Sequence, residues 1–194
     1  MKQLTDEELV VNTQAGSHHH FEELVNRYSN RLFHYFRSKI SRDEDIEDLV
    51  QETFLKVYRN IRRFDDRYKF STWIYTTASR LAISYFRKMR NRESTTRFVS
   101  SASDPHETLI KEDNYKNLWC IAQTLQKNQY QVLWLRYMED MSTKEIARVM
   151  GKSQIYVRVL LHRARLSLTR HMAHLSVSKK VGTVPSAKKA YSFL

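Results

Sequence analysis

Glycine and proline are scarce in this 194-residue chain, with 3 and 2 copies respectively. That is too small a supply of turn formers for the many short hairpins of a β-sandwich or barrel. The single cysteine, Cys120, excludes an internal disulfide and leaves too few thiolates for a cysteine-rich zinc site. A reducing cytoplasm is the expected compartment. No apolar run reaches the ~18 residues of a membrane-spanning helix, so no membrane insertion is expected. The opening MKQLTDEELVV is acidic with no apolar segment behind it, unlike a signal peptide. What is present is core material, 41% hydrophobic and 12% aromatic residues, which excludes wholesale disorder. A net charge of +12 accompanies it and favours a polyanionic partner, either nucleic acid or an acidic membrane surface.

The charge is segregated along the chain. Residues 43 to 52 hold six acids and no base, residues 56 to 97 hold twelve bases against Asp65, Asp66 and Glu93, and residues 152 to 171 hold five bases and no acid. An acidic helix and two separate basic stretches point to surfaces meeting different partners.

Helical signals recur throughout, and the expected fold class is all-α. Thr5 to Glu8 and Ser41 to Glu44 have the spacing of capping boxes, in which the hydroxyl takes an orphan N–H and the Glu reaches back. After the second, Ile46, Val50, Phe54 and Val57 form a helical apolar stripe. A helix over Phe21 to Phe36 is expected after a loop from Ala15 to His20. Another is expected from Ser71 or Thr72 to about Arg90, with Ile74, Ala78, Leu81, Ala82 and Tyr85 on its buried face. Residues 1–90 read as one helical domain. Residues 91–105, rich in Ser and Thr and closed by Pro105, read as a flexible linker. Residues 106–172 read as a second, smaller helical domain, and 173–194 as a lysine-bearing flexible tail.

Residues 142 to 168 carry the sharpest local pattern. Ser142 to Glu145 is a third capping box opening a short helix through Ile146, Ala147 and Met150, with Gly151 placed for a left-handed turn. Ser153 can cap a second helix on which Val157, Leu161, Ala164 and Leu168 repeat at i, i+4, i+7 and i+11. Two short helices joined by a tight turn with Gly are the pattern of a DNA-binding helix-turn-helix. The remaining face carries Gln154, Tyr156, Arg158, His162, Arg163 and Arg165, donors suited to base edges and phosphates.

From Phe54 to Phe98 aromatics interleave with bases. Trp73, Thr76, Arg80, Ser84 and Arg87 share one helix face, with Arg67 and Lys88 nearby in sequence. An exposed Trp beside arginines suits unpaired bases, the ring stacking while the cations hold phosphates. Phe64 and Phe70 are expected to complete the core.

Taken together the motifs resemble a bacterial RNA polymerase sigma factor of the sigma-70 family, extracytoplasmic-function (ECF) group, from Thr5 to about Met172. Phe21-Glu-Glu-Leu-Val25, Asp48-Leu-Val-Gln-Glu-Thr-Phe54, Phe70-Ser-Thr-Trp-Ile74 with Arg87-Lys88, Leu135-Arg-Tyr, Ser142-Thr-Lys-Glu-Ile-Ala147 and His162-Arg-Ala-Arg165 carry the likeness. The resemblance implies that the acidic helix, through Asp45, Asp48 and Glu52 with Gln51, docks on the clamp of core RNA polymerase's largest subunit. The flap of the second-largest subunit is a further implied contact. It implies that Arg67, Trp73, Arg80, Arg87 and Lys88 contact and melt the −10 element, capturing a flipped base. It also implies that Ser153, Gln154, Tyr156, Arg158, His162, Arg163 and Arg165 read the −35 duplex. An anti-sigma factor is an implied partner, no cofactor is implied, and the chain is not an enzyme. Arg80 and Ser84 depart from the family pattern, and so do Val159 and Leu160 in the recognition helix, where the loss of an Arg leaves the −35 sequence open. The competing readings are a stand-alone helix-turn-helix regulator and a DNA-cleaving enzyme. Adjacent His18, His19 and His20 do not all face one ion, and Cys120, Trp119 and Trp134 read as core or interface residues.

Overall fold

The computed structural model describes residues 4–93 and 114–178, with side chains at 92, 93, 114–117, 120 and 173–178 left aside. Among the described residues all regular structure is helical: α1 (Asp6–Gln14), α2 (His18–Arg37), α3 (Asp43–Asn60), a 3-10 turn (Ile61–Arg63), α4 (Phe70–Glu93), α5 (Asn114–Gln123), α6 (Lys127–Tyr137), α7 (Thr143–Met150) and α8 (Gln154–Ser178). Most of the expected linker, and the tail beyond Ser178, lie outside the described residues.

Local chemistry sets the helix ends. Thr5 accepts from the Glu8 amide at 3.2 Å while Glu8 accepts from the Thr5 amide at 2.7 Å, so the box that opens α1 is complete. The same reciprocity opens α7, between Ser142 and Glu145. Gly151 ends α7 at φ +62°, a conformation that costs glycine no side-chain clash. Ser153 then accepts from the Tyr156 amide at 3.2 Å and starts α8.

Two expected starts are displaced. The N-cap of α3 is Arg42, without a side-chain cap bond, and the Arg42 guanidinium holds the Glu44 carboxylate at 2.7 Å. A carboxylate occupied in this way is diverted from the reach-back bond of a capping box. The loop expected through His20 ends earlier, because Gly16 turns the chain at φ +103° and Ser17 is already the N-cap of α2. The three histidines therefore form the first turn of α2. His20 pairs with Ser17 at 2.6 Å and His18 with Tyr58 at 2.9 Å.

The apolar stripes face inward as periodicity requires. Ile46, Phe54 and Val57 of α3 are buried, as are Ile74, Ala78, Leu81 and Ala82 of α4. So are Val157, Leu161, Ala164 and Leu168 of α8. Helices α1–α4 make one cluster around Tyr28, Tyr35, Phe36 and Phe70, and α5–α8 a second around Tyr130, Leu133 and Leu135. Instead of standing apart, the two clusters pack along α4 and α7 and share a continuous buried core.

Candidate polymerase-docking and DNA-binding surfaces

The acidic helix presents Asp48, Gln51 and Glu52 to solvent, while Glu52 pairs along the helix with Lys56 at 3.2 Å. Asp45 is turned differently: it accepts from the Tyr85 hydroxyl at 2.9 Å and so ties α3 to α4. Burial and this bond push the Tyr85 phenol up to about 12. Beside Gln51 an apolar groove opens between α2 and α3, lined by Phe21, Val25, Phe54, Leu55 and Tyr58. Leu55 and Tyr58 are exposed on it. Sequence reading had no place for these two, although an apolar residue one step outside a buried stripe is the signal that marks them.

The basic face of the first cluster is concave. Trp73 is half-buried, its ring 5.3 Å from Phe64 and 6.0 Å from Phe70. It is thus less exposed than stacking alone suggests. With Arg80, Thr77 and Ser84 it forms one wall of a cavity of about 340 Å³, whose other wall is Lys56, Asn60 and Arg63. Three cations and an indole line this hollow without a carboxylate. Lys56 and Asn60 went unnoticed in the sequence because they sit at the end of the acidic helix. Phe64 and Phe70 are buried as expected. Arg87 and Lys88 are exposed further along α4 and are not among the residues that line the hollow. Arg67 lies on the loop before α4, bonded to Asp65 at 2.9 Å, and its guanidinium holds that carboxyl at about 2.

The helix-turn-helix face is convex. Ser153, Gln154, Tyr156, Arg158, His162 and Arg163 are exposed on the first turns of α8. Gln154 gives one amide N–H to Thr143 at 2.9 Å, linking α8 to the start of α7. Arg165 is turned away: it donates to the Tyr137 hydroxyl at 2.8 Å and lies over that ring. Leu160, at the position where the family pattern has Arg, is buried.

Between the clusters runs a polar seam. The Glu139 carboxylate is fully buried, held bidentately by Arg31 and by the Tyr75 hydroxyl at 2.6 Å. Burial, with the Glu139 charge and bond adding to it, pushes the Tyr75 phenol well up. Gln131 donates to the Tyr35 hydroxyl at 2.7 Å and Lys127 to the Lys39 carbonyl at 2.9 Å. Glu145, the capping residue of α7, also meets Thr72 at 3.3 Å and Lys69 at 3.8 Å.

Residues 24–93 match Sigma-70 region 2 and residues 115–168 match Sigma-70 region 4. Over 169 residues the chain is 31% identical to the ECF RNA polymerase sigma factor BldN of Streptomyces coelicolor, spanning 84% of this chain and 64% of BldN. It is 28% identical over 177 residues to the ECF RNA polymerase sigma-E factor of Haemophilus influenzae, spanning 84% and 93% of the two chains.

The chain belongs to the ECF group of the sigma-70 family.

The fold agrees with solved structures of CnrH bound to the cytosolic domain of CnrY (TM-score 0.59, 21% identity, 87% of this chain and 97% of that one). It also agrees with Bartonella quintana RpoE bound to the anti-sigma factor NepR (TM-score 0.60, 20% identity, 79% and 96%). As an ECF sigma factor the chain directs RNA polymerase to promoters through region 2 and region 4. The region 2 match runs from within α2 through α4 and takes in the concave basic face, and the region 4 match runs from α5 into α8. No helix among the described residues is long and apolar enough to cross a membrane.

Proposed function

We propose that the three surfaces divide the work of initiation. The acidic edge of α3, through Asp48, Gln51 and Glu52, docks on the clamp of the largest polymerase subunit, and the adjoining Phe21–Leu55–Tyr58 groove takes an apolar side chain of that partner. A polar rim around an apolar centre is the usual build of a protein interface. Asp45 supports this edge from within, through its bond to Tyr85.

The concave face of region 2 takes an unpaired base of the −10 element. The observation that carries this assignment is the hollow itself, walled by Trp73 on one side and Arg63 and Lys56 on the other. Flipping a base out of a duplex costs a few kcal/mol of unstacking. A ring to stack on and cations for the flanking phosphates offset that cost. Arg67, Arg87 and Lys88 extend the positive surface for the rest of the strand. The convex face of region 4 reads the −35 duplex through Arg158, His162 and Arg163, with Ser153, Gln154 and Tyr156 at the helix start. Arg165 acts on the fold through Tyr137. The flap of the second-largest subunit is the partner of region 4's remaining surface. An anti-sigma factor holds the protein inactive, a reading supported by the anti-sigma complex of structurally similar RpoE.

Co-elution with core RNA polymerase tests the docking assignment. The wild-type chain co-elutes, and Asp48→Lys with Glu52→Lys does not, although it retains the wild-type melting temperature. Wild-type affinity in that variant refutes the assignment.

A further inference from the structure

The exposed side of α8 carries a second apolar stripe. Ile155, Val159 and Leu166 recur at i, i+4 and i+11, with the polar His162 at i+7, the same spacing as the buried Val157, Leu161, Ala164 and Leu168. The two stripes are offset by two residues, about 200° around the helix. Ile155 is 73% exposed and Val159 and Leu166 are each 45% exposed. Solvent-facing apolar residues scattered singly need no explanation, but a row of them opposite the core does.

We propose that Ile155 and Val159 determine −35 specificity by packing on thymine 5-methyl groups in the major groove. This rests on the assignment of α8 to the −35 duplex. The first two turns of a recognition helix are those that reach base edges. Here they are aimed by Gly151 and the Ser153 cap. In the major groove a thymine differs from every other base by a methyl group, and apolar side chains are its partners. Charge selects DNA over a protein as the occupant: Arg158 and Arg163 flank the stripe, and no Asp or Glu occurs from Lys152 to Ser178. Neither arginine has a hydrogen bond or ion pair among the described residues, so both remain free for phosphates or guanines beside the thymines. With Gln154 tied to Thr143, Ile155 and Val159 are the exposed aliphatic side chains on these turns.

The test uses the full chain assembled with core polymerase. Selection from a promoter library randomised at −35 yields the preferred site, and each thymine in it is then replaced singly by uracil, which removes the methyl and nothing else. One or more such replacements weaken wild-type binding about fourfold, the value of one buried methylene. In Ile155→Ala/Val159→Ala that difference disappears, while polymerase co-elution is unchanged. Equal affinity for thymine and uracil sites at every position overturns the proposal, as does a uracil penalty that persists in the double variant. A wild-type dimer that the double variant dissolves, with promoter selection unchanged, overturns it in favour of a second copy of the chain. Failure of the wild-type holoenzyme to enrich any −35 element refutes the underlying assignment of α8, a result distinct from all of these.

Discussion

The two surfaces proposed to face DNA solve opposite problems with similar residues. Region 2 sinks Trp73 against Phe64 and Phe70 and surrounds the ring with cations from two helices, leaving a hollow. Region 4 sets its cations and exposed aliphatics along the solvent side of a single helix. A hollow accepts a base that has left the stack, whereas a ridge enters the groove of an intact duplex. Basic charge alone distinguishes neither. In the proposed division of labour, curvature separates the two substrates.

The largest expected effect removes the seam that holds the two surfaces to one another. Glu139→Ala leaves the Arg31 guanidinium and the Tyr75 hydroxyl without their buried partner, and lowers the stability of the joined clusters by about 3–5 kcal/mol. Urea denaturation followed by far-UV circular dichroism measures the loss, and a change below 1 kcal/mol contradicts the buried pairing. Next is Trp73→Ala, which weakens open-complex formation by about 1–3 kcal/mol, the worth of one base–aromatic stack. Permanganate reactivity of the melted strand reports it. Trp73→Phe, which keeps the packing on Phe64 and Phe70, recovers most of the signal if stacking is the role.

Arg158→Ala sharpens the other side of the contrast. It weakens −35-dependent initiation by about 1–3 kcal/mol and relaxes selectivity at one base pair. An unchanged promoter preference assigns Arg158 to the backbone instead. The smallest effect is a pH dependence at Glu145. Desolvation raises its carboxyl, but the Ser142 bonds and the Lys69 charge outweigh that and hold it below its ordinary 4.5. A depressed folded value means the stabilisation is present above about pH 4.5 and disappears as pH falls through the folded value. The melting temperatures of wild type and Glu145→Gln therefore differ at neutral pH and converge in acid.

Helix identity was legible wherever one period ran unbroken. The stripes of α3, α4 and α8, the boxes at Thr5 and Ser142, and the Gly151 turn all depend on neighbours within four residues, which a linear reading sees. Ser41 misled because an equally local competitor, Arg42, takes the Glu44 carboxylate. The histidine turn misled because three consecutive polar residues resemble a loop, and the Ser17 N-cap makes no side-chain cap bond. At the candidate sites the residue types were readable but several orientations were not. Asp45 turns to Tyr85 and Arg165 to Tyr137, and no sequence period reports which neighbour a long side chain will choose. Glu139 was invisible, since its partner Arg31 is 108 residues away and a Glu beside an Asp in a turn ordinarily faces water.

The seam between region 2 and region 4 also behaves as an equilibrium constant in series with binding. Separating the clusters returns a buried carboxylate to water and parts it from a half-buried guanidinium, so Glu139 and Arg31 contribute to setting the separated population. A partner that engages only the separated form binds with its intrinsic dissociation constant divided by the fraction separated. Each 1.4 kcal/mol of seam stability weakens that partner about tenfold, while one that grips the closed form, already the dominant population, keeps its intrinsic affinity.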